Sequence, residues 1–200
     1  MKVEEYRGIR GLVAAEVVED SVEAFECGTP FPIAGVAELS KTTESSSEAH
    51  YYDNAPGVVI DTKGADEVSM NTSAIPFDVL AQITGQDYDE ALGMFVEGER
   101  ESKYFAIGYI TEKTDGTEVF VWRLKGKFNI PGSTHATKDD GTEANGQELV
   151  FAGIHTTHKF TVKGKKKTVA AVNVDTSKNA VDETAFFETV QTPDTVKASV

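Results

Sequence analysis

Glu118-Val119-Phe120-Val121-Trp122-Arg123-Leu124-Lys125-Gly126-Lys127-Phe128-Asn129-Ile130 is the stretch on which the fold class turns. Its even positions are Phe120, Trp122, Leu124, Gly126, Phe128 and Ile130, while its odd positions pass from Val119 and Val121 to Arg123, Lys125, Lys127 and Asn129. Successive side chains of a strand point to opposite faces. The pattern therefore predicts one core-facing side and one side ending in a basic row. Upstream, residues 104–111 place Phe105, Ile107 and Tyr109 on one side. Asp115-Gly116, between the two stretches, supplies residues that tolerate positive φ in a tight turn. The two strands are expected to pair antiparallel.

Outward from this hairpin, period-two alternation and β-branched residues predict strands at 11–18, 33–43, 58–61, 149–155, 157–162 and 168–174. Lys163-Gly164-Lys165-Lys166-Lys167 reads as a second hairpin between the last two. One segment departs from the β pattern: residues 76–84 carry Val79, Leu80 and Ile83 at helical spacing, with Pro76 in the first turn and Gly85 as the stop. This predicts a single short helix packed on an antiparallel sheet. Loops are expected at 44–50, around Ser45-Ser46-Ser47, and at 132–146. Residues 1–174 read as one β-domain, and 175–200 as a C-terminal arm whose Phe186-Phe187, Val190 and Val196 dock on a neighbour.

The 200-residue chain has 19 basic and 33 acidic side chains, a formal net charge of −14. The acidity is regional, with 8 basic against 24 acidic side chains in residues 1–120 and 11 against 9 in residues 121–200. A field of that sign repels phosphates and argues against sequence-reading of nucleic acid. The single cysteine, Cys27, excludes an internal disulfide and a multi-thiolate metal site. The N-terminal residues have no apolar stretch of signal-peptide length, and no apolar run approaches a membrane span. The expectation is a soluble protein made without Sec-type export.

No catalytic constellation stands out. Gly164-Lys165-Lys166-Lys167-Thr168 lacks the upstream glycine of a phosphate loop and reads as a solvated basic turn. His155 and His158, three apart on an expected strand, point to opposite faces rather than to one metal. Lys138-Asp139-Asp140-Gly141-Thr142-Glu143 lacks the alternating oxygen register of a calcium loop. Cys27 has no visible thiolate stabiliser. Glu97, Glu99 and Glu101 fall on one strand face as a solvated acidic edge, and Trp122 lies in line with core aromatics.

Several segments taken together resemble the major tail protein family of long-tailed, non-contractile bacteriophages and prophages of Gram-positive bacteria. They are Pro32-Ile33-Ala34-Gly35-Val36; Tyr52-Asp53-Asn54 with Gly57; the helix ending at Gly85, followed by Tyr88-Asp89 and Gly93-Met94-Phe95-Val96-Glu97; Tyr104-Phe105-Ala106-Ile107-Gly108-Tyr109; and the run from Val121-Trp122 to Ile130-Pro131. The resemblance covers most of residues 30–154. It implies a mainly β protein of the phage tail-tube type, an antiparallel β-sandwich or barrel with one flanking helix and extended arms. It further implies hexameric rings stacked into the virion's tail tube, through which DNA passes without specific binding. Implied partners are further copies of the chain and tail-tip, tape-measure and tail-terminator proteins. No enzyme activity, cofactor, metal or membrane is implied, and synthesis is expected in the host cytoplasm.

The acidic field suits a lumen that lets DNA slide, and ring closure requires one patch to meet a different patch on the next copy. The candidate inter-subunit contacts are Tyr51, Tyr52, Asp53 and Asn54 on a long hairpin at about 40–61, the basic row Arg123, Lys125 and Lys127, and Phe186 with Phe187 on the C-terminal arm. The hairpin is expected to reach an adjacent subunit and the arm the next ring. The alternative is a carbohydrate-binding or adhesion β-sandwich, or a decoration module, with Tyr51-Tyr52 and Trp122 as its aromatic platform.

Overall fold

The computed structural model describes residues 3–135, 137 and 145–197. Their elements, in chain order, are β1 (Tyr6–Asp20), β2 (Phe25–Cys27), β3 (Phe31–Pro32), β4 (Val36–Tyr52), β5 (Ala55–Thr72), α1 (Phe77–Thr84), β6 (Asp87–Asp89), β7 (Met94–Val96), β8 (Phe105–Lys113), β9 (Glu118–Phe128), β10 (Gly132–Ser133), β11 (Gln147–Gly153), β12 (Phe160–Val162), β13 (Lys165–Lys167), β14 (Ala171–Asp175) and α2 (Glu183–Glu188). The chain is mainly β, and every strand pairing is antiparallel.

The main sheet runs β2-β1-β8-β9-β11-β5-β4, with β3 beside β1, β14 beside β9 and β10 beside β11. Its terminal strands β2 and β4 do not pair, so the sheet is not closed into a barrel. The open side shows as a cleft between residues 6–9 of β1 and residues 37–41 of β4, lined also by Val119, Val121 and Arg123.

The β8–β9 hairpin forms as its alternation predicts, with Gly116 at φ 85° in the turn. Both of its faces are covered. Phe105, Ile107, Tyr109, Val119 and Val121 enter one core, beside Leu80 and Ile83 of α1, Val68, Met70 and Leu149. Ala106, Ile110, Phe120, Trp122 and Leu124 enter a second core, beside Phe160, Val174 and Phe186. The expectation of a single core face on β9 is corrected by the second core, which covers its other side, and a bulge beyond Arg123 then shifts the register. From Ile107↔Arg123 to Phe105↔Gly126, β9 advances one residue more than β8. The extra residue reverses which positions face which side. Phe128 therefore joins the first core, with its ring 5.5 Å from Phe105 and 5.3 Å from Phe151. At the same place β9 exchanges β14 for β11 as its second neighbour. Gly126 permits the close packing there, since a Cβ on it would stand 2.3 Å from the Phe151 ring.

Three further expectations change. Residues 44–50 are strand, not loop, because β4 stays paired with β5 up to Tyr52↔Ala55. The flanking helix α1 is present and ends at Gly85 in the left-handed region, φ 71°, but a second helix, α2, lies in the segment expected to be an arm. That segment folds back onto its own subunit. Asp182 caps α2 by accepting from the Ala185 N–H at 2.8 Å, and Phe186 is 1% exposed. The Trp122 indole donates to the Phe186 carbonyl at 3.1 Å. Arg10 of β1 binds Glu183 at 2.6 Å and Glu118 at 2.7 Å. Val190 and Val196 pack against the second core, and the Asp194 carboxylate accepts the Thr161 N–H. The apolar groups of residues 175–197 thus complete the core over β9 instead of reaching outward.

Candidate assembly surface

The feature that stands apart from the packed body is the outer part of the β4–β5 hairpin. Inside Thr43↔Asp66 the two strands belong to the main sheet. Beyond that pair every residue from 44 to 64 is exposed. At about 3.3 Å per residue, this two-stranded ribbon extends roughly 30 Å. Its tip is the Asp53-Asn54 step, with φ of 49° and 64°, the positive pair of a type I′ turn whose twist matches the flanking strands.

Cross-strand partners share a face of the ribbon. Glu48, His50 and Tyr52 lie with Ile60 and Val58 on one side, while Ala49 and Tyr51 lie with Val59 and Pro56 on the other. Tyr51 is 69% and Tyr52 64% exposed, and Val58, Val59 and Ile60 are about half exposed or more. Both faces therefore display apolar groups that the chain itself leaves uncovered. An isolated two-stranded ribbon is marginally stable in water, and exposed apolar surface of this kind marks an interaction site.

Buried ionic chemistry anchors the ribbon. Asp66, at its base, accepts from Arg123 Nη1 at 2.9 Å and from the Thr43 hydroxyl at 2.7 Å, with Lys41 Nζ at 3.5 Å. The Arg123 Nε also donates to the Tyr109 hydroxyl at 3.2 Å. Burial pushes the Asp66 carboxyl up, but the Thr43 hydroxyl and the charges of Lys41, Arg123 and Lys63 outweigh it and hold the group below the usual carboxylate range.

Of the expected contact residues, Tyr51, Tyr52, Asp53 and Asn54 come together at the exposed tip. The basic row does not exist as a displayed surface. Arg123 is 7% exposed and braces Asp66. Lys125 is paired with Asp20, whose carboxylate also accepts the Thr157 and His158 N–H groups. Lys127, half-buried, lies 4.4 Å from the centroid of the Tyr104 ring. The bulge in β9 turns the two lysines away from Arg123's side and toward these partners. Phe186 is withdrawn into the second core, and the half-buried Phe187 packs over Phe120 and Trp122.

The remaining chemistry candidates do not converge. Burial pushes the Cys27 thiol up to about 12, with the nearby Asp20 charge adding to the effect. The His155 ring contacts Thr168, whereas the His158 ring packs on Phe160. Glu97, Glu99 and Glu101 lie beyond β7 in irregular, exposed chain, not on a strand face. Lys163 and Gly164 form the expected hairpin turn, at φ 50° and 73°. The acidic turn 138–143 lies outside the described residues. Trp122 is fully buried, and Tyr51 and Tyr52 point to opposite faces, so the aromatic platform of a sugar-binding module is not formed by these residues.

Val58, Val59 and Ile60 were recognisable as a strand but not as uncovered. Their signal is three consecutive β-branched residues, the pattern of a strand covered on both faces, in a ribbon whose own protein covers neither. No protein-family model matches the chain, and no curated protein does.

Proposed function

We propose that this chain is a structural virion protein, the major tail-tube subunit of a long-tailed, non-contractile bacteriophage. In this reading, rings of six copies stack into the hollow tube through which DNA leaves the capsid. The observation that carries it is the ribbon of residues 44–64, uncovered on both faces and tipped by Tyr51 and Tyr52. Covering such a ribbon requires another molecule, and a second copy supplies it in a heterologous contact that leaves each copy able to receive the next. The braced base, where Asp66, Arg123 and Tyr109 meet, supports a ribbon held ready to dock. The acidity of residues 1–120 suits a conduit that must not retain DNA. Tail-tip, tape-measure and terminator proteins are the further partners of this role.

The test is a variant in which residues 45–62 are replaced by a two-residue Asn-Gly turn, compared with the intact chain by sedimentation velocity and urea unfolding. The intact chain, with tail-tip components added where needed, is expected to form rings or longer assemblies. The shortened chain is expected to unfold at a similar urea midpoint and to sediment as a single subunit, 16 residues lighter than the 21.6 kDa intact chain. A shortened chain that assembles as the intact one does overturns the role of the ribbon.

A further inference from the structure

Two other surfaces are left unpartnered, and their chemistry is complementary. The first is the β12–β13 hairpin. Lys159, Lys163, Lys165, Lys166 and Lys167 follow one another without an intervening acid. All five are exposed, and none forms an ion pair among the described residues. The second is the outward face of β6–β7. The register pairs Asp89 with Met94 and Asp87 with Val96, so their Cβ atoms stand about 5 Å from those of the apolar partners, and the Asp89 carboxylate also accepts the Leu92 N–H at 3.0 Å. Met94 is 47% and Val96 40% exposed, while Phe95 between them points inward, where Phe77 stacks on it at 5.7 Å. Glu97 and Glu99 extend the acidic rim. The one cation of that stretch, Arg100, turns to Ser102 and the Phe128 carbonyl.

The two surfaces are rooted in different cores. Phe95 packs against the first core beside α1, and Phe160 of β12 enters the second. These cores occupy opposite faces of β8–β9. No ion pair joins the two surfaces among the described residues.

We infer that the lysine hairpin of one copy docks on the β6–β7 face of the next, the lysine stems lying over Met94 and Val96 and the ammonium groups meeting Asp87, Asp89, Glu97 and Glu99. Lysine is suited to both halves of that surface, since its methylene stem covers apolar area while its charged head stays at the rim. Contacts between two different patches propagate head to tail and give rings or filaments rather than a closed dimer. This contact rests on the reading of the chain as a self-assembling subunit and names a second pair of patches beside the ribbon.

The experiment mixes isotope-labelled and unlabelled full-length protein, applies a zero-length carbodiimide cross-linker and maps the products by mass spectrometry. Mixed-isotope links from Lys163, Lys165, Lys166 or Lys167 to Asp87, Asp89, Glu97 or Glu99 are expected. In parallel, K165E/K166E/K167E is expected to weaken association about tenfold, and adding D87K/D89K/E97K to the same chain is expected to restore it. Unfolding midpoints of each variant separate loss of contact from loss of fold. Mixed links with no rings or tubes, even with tail-tip components added, leave this contact standing and overturn the tail-tube reading. Tubes without those links, or a doubly reversed chain no better than the singly reversed one, overturn the contact. So does retention of a short DNA duplex that the lysine changes abolish while association stays unchanged.

Discussion

Arg123 shows why a charge is harder to place than a hydrophobe. On an alternating strand it reads as solvated, because the partner that makes its burial tolerable, Asp66, is 57 positions away in sequence. Trp122, next to it, needed no such partner: its alternation with Phe120 and Leu124 was enough to put it in a core. Removing one member of a buried ion pair strands the other. Arg123→Met is expected to cost about 3 kcal/mol in urea unfolding, at the low end for such pairs because Lys41 stays beside Asp66. Arg123→Glu is expected to impair folding before assembly, the reverse of what a displayed basic row implies. A variant with wild-type stability and defective assembly contradicts the bracing role.

Asp20 supplies the pH dependence. Burial raises its carboxyl, but Lys125 and the Thr157 and His158 N–H groups outweigh this and hold it below its ordinary value. A depressed carboxylate adds stability that is present above the unfolded pKa and is lost as pH falls through the folded one. The stability gap between the wild type and Asp20→Asn should therefore be constant above about pH 5 and narrow steadily below it. A gap independent of pH from 7 down to 2 removes Asp20 from this role.

The helix α1 was fully legible, because its stop signal and apolar spacing are local. Gly85 carries that stop: a Cβ on it would stand 1.9 Å from the Glu101 carbonyl oxygen, at a positive φ. Gly85→Ala is expected to cost more than about 1 kcal/mol in chemical unfolding, and a neutral outcome contradicts the packing seen there. The β4–β5 ribbon was legible as a hairpin but not in its extent. Ser45-Ser46-Ser47 has loop composition, yet cross-strand pairing, which is non-local, keeps it extended. The C-terminal segment was misjudged for the same reason, since surplus apolar residues after the last strand do not reveal that the second core lacks a cover. Chymotrypsin is expected to cut the free subunit after Tyr51 or Tyr52 and to spare those bonds in the assembled form. Phe186 should be protected equally in both. Cleavage at Phe186 in the free subunit, with protection only on assembly, restores the arm and contradicts the docked α2.

Taken as a whole, the antiparallel β class and the β8–β9 hairpin were readable because alternation reports burial directly. Closure was not, since it depends on whether the terminal strands meet, and β2 and β4 do not. Nor was the bulge in β9, where one extra residue converts an apparent basic row into two internal tethers. What remains outside the packed body is the ribbon of residues 44–64, with the exposed lysines of β12–β13 and the exposed face of β6–β7. In the proposed reading these are the surfaces that meet further copies of the chain.

Negative-stain electron microscopy of the concentrated protein in moderate salt, with purified tail-tip components added in a second sample, tests this most directly. Hollow rings or tubes of uniform width, with six-fold end views, are predicted in at least the nucleated sample. Isolated subunits in both samples, at every concentration, would contradict it.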